Sequence, residues 1–117
     1  MQLCGCQKIK QLKVEADIGA DPFWCARCYS NLNLEDFKMP KALKQELQQW
    51  INGYGIWIDW ENDGIVPGGV VLEEQHNERG VVLTEKVKQV LEGQYEIVFS
   101  PSTFAKRNHE KYRKTAQ

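Results

Sequence analysis

Four cysteines within the first 28 residues, in two close pairs, constrain this chain more than any other feature. Cys4-Gly5-Cys6 and Cys25-Ala26-Arg27-Cys28 give C-x-C, eighteen intervening residues, then C-x-x-C. Tetrahedral zinc binds four thiolates at about 2.3 Å each, and pairs close in sequence make tight chelate loops whose N–H groups can donate to sulfur. Gly5 supplies the freedom that a two-residue chelate needs. The intervening segment is the right length for one hairpin that brings the pairs together. Cys4, Cys6, Cys25 and Cys28 are therefore expected to hold a structural zinc ion, with iron on the same ligands as the lesser alternative. Thiol pairs without metal and a redox switch at Cys25 and Cys28 are the remaining readings.

The chain has 117 residues, enough for one domain with a core of its own. The expected organisation is one domain spanning 1–117: a metal-binding hairpin part at 1–39, a helix-helix-strand part at 40–100 and a basic tail at 101–117. Leu12, Val14, Ala16 and Ile18 alternate with polar neighbours, which predicts a half-buried strand over Gln11 to Ile18. Pro40 opens a helix whose Leu43, Leu47, Trp50, Ile51 and Tyr54 share one face, and Gly53 or Gly55 ends it. A loop or short turn is expected at 31–37 and an aromatic-rich linker at Ile56 to Trp60. A second helix is predicted from about Val71 to Leu91, with Leu72, His76, Gly80, Leu83, Val87, Val90 and Leu91 inward. Gly80 in its middle signals either a close approach of another backbone or a kink. Tyr95 to Phe99 reads as a short apolar strand, and the tail from Ser102 as a polar helix.

The segment Asp21-Pro22-Phe23-Trp24-Cys25-Ala26-Arg27-Cys28-Tyr29 resembles the rubredoxin-type knuckle of zinc-ribbon proteins, with apolar residues bracketing the thiols. In those families glycine usually follows the second cysteine, where this chain has Tyr29, and the first knuckle is C-x-x-C where this chain has C-x-C. The resemblance covers about the first third of the chain. From Leu47 to Gly80 the chain is similar to small uncharacterised bacterial proteins, a likeness that implies no activity.

Other candidates carry less. Asp59-Trp60-Glu61-Asn62-Asp63-Gly64 has the rhythm of a calcium loop, but Val70 stands where the twelfth-position carboxylate belongs, so an acidic turn is the better reading. His76 lies on the inner stripe and is expected to be a core or boundary residue rather than a catalytic base. Trp57 and Trp60 flank Asp59; core packing is the plain expectation for both, with one of them exposed to a partner as the alternative. Lys106, Arg107, Lys111, Arg113 and Lys114 against Glu110 give the tail a net +4, while the whole chain stands at −1. Those five basic residues are the candidate nucleic-acid contacts.

The fold class expected is α+β: an N-terminal zinc-bearing β-hairpin packed with two amphipathic helices, a short strand and a C-terminal polar helix. The function expected is that of a non-enzymatic, cytoplasmic zinc-binding protein acting through a protein partner. A nucleic-acid-binding module and a thiol redox switch are the alternatives. The N-terminus has no basic segment followed by an apolar run, and no stretch approaches the ~20 apolar residues of a membrane span.

Overall fold

The computed structural model describes residues 10–107. Its architecture is mixed α+β. The order is β1 (Gln11–Val14), β2 (Phe23–Cys25), β3 (Asn31–Leu32), a 3-10 turn (Leu34–Asp36), α1 (Lys41–Asn52), β4 (Ile58–Asp59), β5 (Gly64–Ile65), α2 (Gly69–Val90) and β6 (Glu96–Phe99). One sheet runs β3-β2-β1-β6, and β4 and β5 form a separate hairpin. β1 pairs antiparallel with β2 and parallel with β6, Leu12 facing Cys25 on one side and Ile97 on the other. A parallel pair needs a long crossover, and here α1, the β4–β5 hairpin and α2 supply it.

Alternation sets which face of the sheet is buried. Leu12, Val14, Phe23, Cys25, Leu32 and Ile97 enter the core, where they meet Leu43, Leu47 and Trp50 of α1 and Leu83 and Val87 of α2. The regular β1 ladder stops at Val14, short of the expected Ile18. Beyond it the Glu15 N–H still donates to the Pro22 carbonyl, but Ile18 has left the core and is largely exposed. Helix α1 starts where Pro40 predicts. Helix α2 starts two residues before the expected Val71 and continues unbroken through Gly80. At Gly80 the close approach is made by rings: an added Cβ would lie 2.4 Å from Phe99 Cε1 and 2.8 Å from Trp50 Cζ2.

The two helices run antiparallel. Glu46 of α1 pairs with Arg79 and Lys86 of α2, while Trp50, further along α1, packs against His76, further back along α2. This arrangement brings the end of α1, the start of α2 and the β4–β5 hairpin together at one end of the domain.

Candidate partner-binding face

At that end the turn after α1 holds Tyr54 and Trp57 against His76. The His76 ring stacks on Trp50 at 4.6 Å between centroids, with Trp57 at 5.0 Å and Tyr54 at 5.9 Å. Trp50 Nε1 donates to the His76 carbonyl at 2.9 Å, which fixes the ring pair. Burial pushes the imidazole down to about 4, against a smaller opposing pull from Glu73. His76 is thus a neutral packing residue near neutral pH, as its place on the inner stripe implies. Its unfolded value lies near 6.5, so the unfolded chain takes up a proton first as pH falls. The stability His76 contributes is complete above about 6.5 and is lost as pH drops toward about 4. Part of the ring reaches solvent, so the loss is on the order of 2 kcal/mol. Urea melts of the wild type minus those of His76→Phe, from pH 7 to pH 4.5, are expected to show this difference; parallel profiles would refute it.

Beyond the aromatic box the chain turns outward. Gly55 has φ +90°, a conformation open to glycine, and lets Ile18 Cδ1, Ile58 Cδ1 and Trp60 Cζ2 converge over its backbone within 3.9 Å of the position a Cβ would take. Trp57 is fully buried, whereas Trp60 is 65% exposed. One of the two tryptophans is therefore presented to solvent, and it is Trp60. Ile18 and Ile56 are also exposed by more than half. Scattered apolar residues on a surface need no explanation, but a tryptophan grouped with isoleucines does.

The hairpin holds Trp60 in place. The Asp59 carboxylate accepts from the Asn62 N–H at 3.2 Å and from Asn62 Nδ2 at 3.0 Å, closing the 60–63 loop. These bonds lower the Asp59 pKa, that from the Asn62 side chain most. At the other end of the hairpin a Cβ on Gly69 would lie 2.2 Å from Ile65 Cγ2 and 3.0 Å from the Trp57 carbonyl oxygen. What reads as a calcium-like acidic loop in the sequence is thus the tip of a β-hairpin braced against α2.

The stretch of chain that carries Trp60 is acidic. Residues 45–78 include seven carboxylates and no lysine or arginine. Glu46 is neutralised by Arg79 and Lys86, and Glu73 is buried under donors from the C-terminal segment. Asp17, next to Ile18 in the chain, and Asp59 and Glu61, on either side of Trp60, make no ion pair among the described residues. Clefts of 210 Å³, between the 17–21 turn and α1, and of 480 Å³, between the hairpin and the start of α2, flank the apolar face. The other aromatic surface, on the open side of the sheet, already has a cation of its own: Lys13 Nζ lies 5.7 Å from the Trp24 ring centre and 5.0 Å from that of Tyr29.

The described thiols lie on β2 and the turn after it. Cys25 is buried at the end of β2 and Cys28 is exposed on the following turn, where its Sγ contacts Ser30 Oγ at 3.3 Å. Tyr29 takes φ 65°, the left-handed conformation for which zinc knuckles use glycine. Cys4 and Cys6 lie outside the described residues. Among the described residues no group of three or more His, Cys, Asp or Glu is arranged to hold a metal ion. Lys106 and Arg107 are exposed, and Lys111, Arg113 and Lys114 lie outside the described residues.

Comparison with protein families supplies the deciding observation: the model of the Serratia CdiI immunity protein-like family matches residues 10–102. The chain belongs to that family. The match runs from just before β1 to just past β6, so it takes in the whole described sheet, both helices and the Trp60 hairpin. It starts after Cys6 and ends before Lys106, leaving the first thiol pair and all five basic tail residues outside. The zinc-ribbon resemblance is therefore corrected: the knuckle-like residues are β2 and its turn in a CdiI-like fold. The expected zinc-binding function, with its nucleic-acid and redox alternatives, gives way to that of an immunity protein-like family. A protein partner fits this family, and no helix among the described residues is long and apolar enough to cross a membrane. A comparison with curated proteins gives no match.

Proposed function

We propose that this chain is an immunity protein that binds a toxin partner and blocks it by occlusion, using the face around Trp60. The observation that carries the reading is the match to the CdiI immunity protein-like family over residues 10–102. The physical character of the Trp60 face supports it. Occlusion requires a surface that is presented before the partner arrives, and a rigid aromatic anchor is what concentrates binding energy at such surfaces. Trp60 is held out by a hairpin whose loop is closed by Asp59 and Asn62 and whose base is wedged on Gly69.

The test is coexpression with a panel of toxin domains that partner proteins of this family. The chain is expected to restore growth against at least one of them and to form a 1:1 complex with it on size-exclusion chromatography. Failure to protect against any, with the protein folded and expressed, would overturn the proposal.

A further inference from the structure

We infer that the partner surface that docks on the Trp60 face is cationic: lysines and arginines ringing an apolar recess that receives the indole. This deepens the immunity reading and rests on it. The inference comes from charge complementarity. Asp17, Asp59 and Glu61 are the sequence neighbours of the exposed Ile18 and Trp60, and residues 45–78 contain no lysine or arginine. Of the acids elsewhere in the fold, Glu15 pairs with Lys13, Glu35 with Lys44, Glu46 with Arg79 and Lys86, and Glu85 with Lys88. Asp17 also acts on Tyr54, whose phenol is raised first by burial and next by Asp17, against an opposing hydrogen bond with Ser102. An acidic rim repels a partner of like charge and steers one of opposite charge onto the indole. By contrast, the Trp24 and Tyr29 surface on the sheet is already engaged with Lys13 and is not selective in this way.

Asp59 is held by Asn62 and shapes the hairpin, so Asp17 and Glu61 are the better probes. The experiment measures association of the neutralised toxin domain from the coexpression assay with wild type, Asp17→Asn/Glu61→Gln and Glu92→Gln, between 50 and 500 mM salt. Glu92 follows the far end of a 22-residue helix, about 30 Å away along its axis. The double variant is expected to associate about fivefold more slowly at low salt and to lose part of the salt dependence, with Glu92→Gln unchanged. Association that is insensitive to salt, or slowed equally by Glu92→Gln, would overturn the inference. Protection in the coexpression assay would then still stand, so the two failures are distinguishable.

Discussion

Replacing Glu73 with alanine is expected to cost about 3 kcal/mol and to lower the melting temperature by roughly 10 °C. Glu73 lies on α2, is 2% exposed and meets no lysine or arginine in an ion pair among the described residues. It accepts instead from Ser102 Oγ at 2.7 Å, from the Ala105 N–H at 2.9 Å and from the Lys106 N–H at 3.2 Å. The Thr103 carbonyl accepts from the Arg107 N–H, so Ala105 and Lys106 stand in the first turn of a helix whose N–H groups have no partners within it. A carboxylate from another helix thereby does the work of an N-cap side chain, and the helix dipole favours its charge. One turn along α2, Asn77 clasps the same segment, donating to the Ser102 carbonyl and accepting its N–H, each at 2.9 Å. Alanine leaves three donors without their acceptor. Glu73→Gln keeps an acceptor oxygen but turns an amide N–H₂ toward a donor, so it should fall between the two. Trypsin provides a local readout, because undocking the segment exposes the bonds after Lys106 and Arg107. Melting within about 2 °C of wild type, with unchanged cleavage there, would contradict this account.

Glu73 also marks a limit of what the residues could reveal in one dimension. The inner stripe of α2 is legible from the spacing of Leu83 and Val87, and α1 from Pro40, Leu43, Leu47 and Trp50. A glutamate beside that stripe carries no local sign of burial; its partners come about thirty residues later. The same distance in sequence hides the parallel pairing of β1 with β6, since Leu12 and Ile97 look alike whether or not they meet. β2 and β3, at three and two residues, are too short for alternation to declare them.

The thiols misdirected for a related reason. C-x-C and C-x-x-C satisfy a chelation pattern, yet nothing in their spacing records that residues 23–25 are a central strand of a sheet. The candidate face was half legible. Trp60 beside Asp59 raised the option of an exposed tryptophan, and the missing lysines and arginines of residues 45–78 were open to view. What no sequence pattern supplied was the fold around Gly55, which brings Ile18 against a hairpin some forty residues away.

Trp60→Ala is expected to weaken toxin binding by about 30-fold or more, equivalent to roughly 2 kcal/mol. The estimate follows from its position. An indole buries 150–250 Å² when covered, in a standard interface of about 800 Å² per partner. Its ring converges with Ile18 and Ile58 over Gly55, and a partner that covers it would exclude water there. Being 65% exposed in the unbound protein, it contributes little to folding. The affinity should therefore fall with little change in melting temperature, which separates a contact residue from a structural one. Trp57→Phe, at a fully buried ring, is expected to behave in the opposite way.

The direct measurement is calorimetric titration of the neutralised toxin domain with wild type and Trp60→Ala, beside thermal melts of both. The account predicts 1:1 binding, weakened at least about 30-fold in a variant that melts like the wild type. An affinity within about twofold of wild type would contradict it.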